Sequence, residues 1–180
     1  MHRRAVLTSL FAAATLGPAR AAEIFDSRSG RVELETVAAG LDHPWSMAFL
    51  PQGGLLVTER PGRLRAISVD GTLSPPIAGV PEVSAVGQGG LLDVALHPRF
   101  AETRLVFLSF AEPRESGNAT SVARGRLSED LTRLDAVKVI FRQQPAHEGG
   151  NHFGSRLTFD GTGALFVTTG DRLDLRSFVQ

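Results

Sequence analysis

An all-β fold follows from three features of this sequence. A strand–turn–strand cassette recurs along it, turn formers are plentiful (Gly 19, Pro 10 in 180 residues), and long runs of strong helix formers are absent. A helical bundle would show the opposite balance.

The chain opens on an expected export signal rather than on the fold. His2, Arg3 and Arg4 form a basic start, residues 5–16 are apolar but too short to span a bilayer, and Ala19-Arg20-Ala21 offers a small-x-small cleavage pattern. Residues 1–21 therefore read as a signal peptide, cleaved after Ala21, with a periplasmic or secreted destination. The Arg3-Arg4 pair is compatible with the twin-arginine route as well as with the general one.

Three cassettes follow. Residues 46–59 read SMAFLPQGGLLVTE, residues 93–110 read DVALHPRFAETRLVFLSF, and residues 155–171 read SRLTFDGTGALFVTTGD. Each places clustered or alternating Val, Leu, Phe and Thr on either side of a turn, which is hairpin chemistry. Further strands fit at 63–69, 121–127 and 137–141. A recurrence of roughly 50–60 residues with about four strands per unit marks a β-propeller, of which about three blades are present in residues 22–180. A β-sandwich would account for the strands but not for the repeated cassette. Because propellers close with about four to eight blades, the expectation is an N-terminal part of a larger ring.

Composition narrows the chemistry. The formal net charge is +0, and removing the signal leaves the remainder slightly acidic, so nothing favours nucleic acid or an anionic membrane as partner. With no cysteine, thiol catalysis, thiolate zinc sites and iron–sulfur clusters are excluded.

The stretch richest in reactive groups is 145–156, PAHEGGNHFGSR. His147-Glu148 and His152 approximate a zinc-binding HExxH helix, but the histidines are five apart and Gly149-Gly150 oppose a helix. The alternative is a glycine-rich loop that delivers His152 to the mouth of the channel just before a strand. Asp171 ends the strand that pairs with it, where a carboxylate would orient the imidazole and raise its basicity, as a general base requires. His147 in the same loop is the next candidate base. A second loop, 86–96 (VGQGGLLDVAL), surrounds Gln88 with glycines. It lacks the lysine and helix start of a phosphate loop, so it reads either as an ordinary turn or as a holder of an uncharged amide at the channel. Asp93, His43 and His97 read as structural.

These segments together, GLDHPWSMAFLPQGGLLVTER, GQGGLLDVALHPRF and GGNHFGSRLTFDGTGALFVTTGDR, resemble the glucose/sorbosone dehydrogenase family of soluble aldose sugar dehydrogenases. The resemblance implies a six-bladed propeller carrying pyrroloquinoline quinone (PQQ) and calcium above its channel. It also implies oxidation of the C1 hydroxyl of an aldose to a lactone, with electrons passed on to an acceptor. By motif, His152 matches the family's base and Asp171 its orienting carboxylate, while Gln88 and Asn151 match positions at the cofactor and substrate pocket. Asn151 stands where the soluble glucose dehydrogenase branch carries an aspartate, which points to the broader aldose branch. Gln180 matches a cofactor-contacting glutamine. No metal ligand is assigned in this chain, since the family's calcium ligands and the basic residues for the quinone carboxylates are expected in later blades. Two rivals remain at this stage: a calcium-dependent lactonase-type propeller, which would want more channel carboxylates, and a non-catalytic binding propeller, which would not need a base–carboxylate pair.

Overall fold

A computed structural model describes residues 23–178; the expected export signal and Gln180 lie outside the described residues. The chain divides into two compact units, residues 1–36 and 37–180.

In the first unit, β1 (Glu23–Ser27) and β2 (Gly30–Leu34) form an antiparallel hairpin with Phe25 opposite Val32. Period-two alternation puts Phe25, Val32 and Leu34 on one face and Asp26, Arg31 and Glu33, with Ile24, on the other. Gly30 closes the turn at φ +125°, where a side chain would be strained.

Three antiparallel sheets build the second unit, each a meander in chain order. The first joins β3 (Pro44–Phe49), β4 (Leu55–Glu59) and β5 (Arg63–Ile67). The second joins β6 (Leu91–Leu96), β7 (Leu105–Arg114), β8 (Gly117–Leu127) and β9 (Leu134–Arg142). The third pairs β10 (Gly154–Phe159) with β11 (Leu165–Thr169). Every cassette named above is a hairpin: β3–β4, β6–β7 and β10–β11. The longer turn of the second holds a single helical turn, α1 (Phe100–Thr103), ended by Arg104 in the left-handed region at φ 53°.

The sheets stack through apolar faces. In β7, Val106, Leu108 and Phe110 enter the core shared with Leu56, Leu64 and Ala66 of the first sheet. Phe107, on the opposite face, meets Leu157, Phe159, Leu165 and Val167 of the third. A strand buried on both faces reads as a nearly continuous apolar run, which is why 105–111 (LVFLSFA) does not alternate in polarity. Strands with one covered face do alternate: Ser155 and Leu157 of β10 are buried, while Gly154, Arg156 and Thr158 are exposed. Met47 and Phe49 on the first sheet and Phe166 on the third remain exposed.

Buried Asp93 ties the three sheets together. It accepts from the Ser46 hydroxyl (2.5 Å), from the Leu157 backbone N–H (2.6 Å) and from Arg156 (2.9 Å). The first strand of each sheet carries a register shift, at Pro44/Ser46, Leu91/Val94 and Gly154/Leu157. Such irregularities re-aim side chains and recur beside functional sites.

Candidate active site

Two loops and one strand end build the site. The 87–90 loop leads into β6 and carries Gln88; the 149–153 loop leads into β10 and carries Asn151 and His152; Asp171 follows β11. The loops are laced together, since the Gln88 N–H donates to the Gly150 carbonyl at 2.7 Å. At the third component the backbones approach so closely that a Cβ on Gly170 would overlap the His152 carbonyl. Only glycine fits there.

His152 sits in the left-handed region at φ 51° and is held from two sides. Its Nδ1 lies 2.6 Å from Asp171 Oδ1. Its backbone N–H donates to the side-chain Oε1 of Gln88 at 2.9 Å. With Nδ1 turned to a carboxylate, the neutral ring carries its proton there and leaves the Nε2 lone pair free to accept one. The imidazole is partly exposed and therefore reachable.

Asp171 is held below the usual carboxylate range. The Leu173 backbone N–H, 3.0 Å from Oδ1, is the main cause, with the His152 hydrogen bond next; Arg176 adds a weaker attraction at 3.8 Å. An ionised carboxylate at this position orients the ring and favours the imidazolium formed on proton uptake.

The concavity beside the pair is about 130 Å³, lined by Trp45, Gln88, Leu92, His152, Phe153 and Gly154. Apolar walls with a few convergent polar groups are the usual character of a ligand site. A larger cleft of about 420 Å³, lined by Leu50, Ile67, Val69, Pro76 and Leu131 among others, contains none of the site residues.

All four residues singled out by sequence thus come together. Gln88 does so with an added task, because its carbonyl end is committed to the His152 backbone, which leaves its –NH₂ as the remaining polar end. Asn151 enters through its backbone carbonyl, which accepts from Arg172 Nε at 2.9 Å. His147 is held elsewhere: its backbone pairs with Asn118 and its Nε2 lies 3.5 Å from Asp174. Sequence reasoning missed Trp45, Arg60 and Arg172. Arg60 donates to the Gly87 carbonyl (2.6 Å) and the Gly89 carbonyl (3.2 Å), bracketing Gln88. Arg60 and Arg172 lie far in sequence from the loops they hold and bind main-chain carbonyls there, so no residue pattern marked them.

The family model described as Glucose / Sorbosone dehydrogenase matches residues 41–180, a span that contains every site residue above. The chain belongs to the glucose/sorbosone dehydrogenase family. Among curated relatives it is 49% identical over 142 residues to the aldose sugar dehydrogenase YliI of Escherichia coli (strain K12), covering 78% of this chain and 38% of that protein. A solved structure titled glucose dehydrogenase aligns with TM-score 0.76 at 58% identity, covering 78% of this chain and 44% of that one. The PQQ-bound form of the aldose sugar dehydrogenase from Streptomyces coelicolor aligns with TM-score 0.67 at 31% identity, covering 87% and 44%. The chain therefore spans about two-fifths of the length of the family members it matches.

Proposed function

We propose that this chain supplies the catalytic-base side of an exported aldose sugar dehydrogenase, a six-bladed β-propeller that converts the C1 hydroxyl of an aldose to a lactone. The carrying observation is the His152–Asp171 pair, 2.6 Å apart, whose histidine lines the concavity. His152 Nε2 takes the hydroxyl proton while the C1–H bond gives up its electron pair as hydride and the C1–O double bond forms. Asp171 holds the ring and stabilises the charge that His152 acquires. PQQ, when bound, would supply the hydride acceptor.

The residues present suit a flat, hydrogen-bond-accepting group. Trp45, Leu92 and Phe153 give apolar walls, and the –NH₂ of Gln88 is the donor left after its carbonyl is taken. Asn151, beside His152, offers a second amide. Calcium belongs to the same proposal by way of the family. By the same resemblance, its ligands are assigned to the length of the relatives that this chain does not span. Export rests on the basic and apolar residues of 1–21.

Trp45 is the sole tryptophan and lines the concavity, which provides a direct test. In a chimaera joining this chain to the complementary part of the E. coli relative, PQQ should quench the part of the tryptophan emission that a Trp45→Phe variant lacks. That chimaera should reduce a dye in the presence of an aldose, PQQ and calcium. The present chain alone should not. Turnover by the chain alone would overturn the division of labour, and a chimaera that binds PQQ but oxidises no aldose would overturn the substrate.

A further inference from the structure

Arg172 is the largest fully buried side chain among the described residues, 2% exposed, and none of its hydrogen bonds reaches a carboxylate. Burial without an acid pushes its guanidinium down from the usual value. Burying a cation in this way is costly unless its donors are used. Four of its five N–H groups are used, all on carbonyl oxygens. Nε donates to the Asn151 carbonyl (2.9 Å), Nη1 to the Asn118 carbonyl (2.9 Å), and Nη2 to Asn118 Oδ1 (2.7 Å) and to the Gly149 carbonyl. The guanidinium also stacks on Phe153, its carbon 4.1 Å from the ring centroid.

Two of these acceptors, Gly149 and Asn151, belong to the loop that delivers His152, and Phe153 follows it immediately. Asn118 stands at the start of β8 and gives the fork a fixed anchor in the middle sheet. The Arg172 backbone N–H donates in addition to the His152 carbonyl at 3.3 Å. Consecutive residues thus grip the base differently: Asp171 holds its ring, and Arg172 holds the backbone behind it. The held conformation needs a grip. His152 lies at φ 51°, Arg172 at 54° and Leu173 at 68°, a region that non-glycine residues occupy at a cost.

We infer that Arg172 is the positioning residue of this site, a guanidinium fork that fixes the 149–152 backbone so that His152 Nδ1 meets Asp171 and Nε2 faces the concavity. The functional meaning rests on the reading of His152 as base, but the geometry is measurable without sugar or quinone. A lysine cannot replace the fork, because one ammonium cannot span carbonyls that a planar group with five donors reaches together.

Labelling the chain with ¹⁵N-histidine gives few signals, since there are five histidines. The unmodified chain should show a low-field Nδ1 proton for His152 and a ring unprotonated at Nε2. In Arg172→Lys, and in Arg172→Met, that proton should vanish and the two ring tautomers should mix. The His152 amide should exchange at least about tenfold faster, as local opening would produce, while β7 amides keep their protection. Leu64→Ala, which opens the main core far from the loop, controls for loss of stability and should keep the low-field proton. Retention of the proton in Arg172→Lys, or its loss in Leu64→Ala as well, would overturn the positioning role. Its absence from the unmodified chain would overturn the pairing and the inference together. Failure of the chimaera to oxidise aldoses would leave these spectra unchanged, so the two readings fail separately.

Discussion

The backbone N–H of His152 donates to the side-chain carbonyl of Gln88 at 2.9 Å, joining two loops that lie 64 positions apart in sequence. The amide expected at the pocket is therefore also a support for the His152 backbone. Replacing Gln88 with Ala should free the His152 N–H, raise its hydrogen exchange and lower turnover of the active chimaera. Gln88→Glu keeps an acceptor at the same place and should preserve the exchange protection while weakening quinone quenching of Trp45, since the –NH₂ donor is lost. Equal exchange in the two variants would contradict this.

His152→Ala should lower turnover by about 10²–10⁴-fold, the usual contribution of a general base. Quenching of Trp45 by quinone should be nearly unchanged. Asp171→Asn leaves the base in place but weakens its orientation and the stabilisation of its charge, so the loss should be smaller. Steady-state rates beside a fluorescence titration separate the two effects. A His152→Ala chimaera with near-normal turnover would place the base elsewhere.

Asp171 also predicts a pH response. Its carboxyl titrates below the usual range in the folded chain, held mainly by the Leu173 N–H and then by His152, with Arg176 nearby. A depressed folded value contributes stability above the unfolded pKa, and that contribution is lost as pH falls through the folded one. The His152–Asp171 contact should therefore persist through mildly acidic pH and fail only below the ordinary carboxylate range. The low-field Nδ1 proton, followed during an acid titration, reports this directly; loss within the ordinary aspartate range would contradict it.

Asp93→Ala should cost about 1–3 kcal/mol, because it strands the buried Leu157 N–H and leaves the Ser46 hydroxyl and the exposed Arg156 without their shared partner. The donors come from Ser46, Leu157 and Arg156, in the first and third sheets. Denaturant unfolding should also broaden as the sheets lose mutual coupling. A change under 1 kcal/mol with the same slope would remove Asp93 as the tie.

Most strands were legible because each covered face wrote a periodicity into the sequence. The 46–59 and 155–171 cassettes carry Gly and Asp turns between apolar segments, and both are hairpins. The β1–β2 hairpin was not singled out, since Glu23, Asp26, Arg31 and Glu33 dilute its pattern and all its residues are exposed. His152 and Asp171 were legible as an imidazole before a strand and a carboxylate after its partner. Arg172 was not: a lone arginine after Gly170-Asp171 looks like a solvated charge, and only the backbone carbonyls around it show otherwise. Contacts made to main-chain atoms leave no residue-type signature.

Middle-sheet hydroxyls meet the backbone just after His152, at the end of its loop and in β10. Thr120 Oγ1 donates to the Phe153 carbonyl (2.8 Å) and Ser109 Oγ to the Ser155 carbonyl (2.6 Å). On the proposed reading of His152 as base, its reach toward a substrate depends partly on two hydroxyls that do not line the concavity. Exchanges such as Thr120→Ser or Ser109→Thr could shift the base by fractions of an ångström with every pocket-lining side chain unchanged. On that reading, substrate preference in such a scaffold can drift through buried hydroxyls, and two proteins with identical pocket residues need not accept the same substrate.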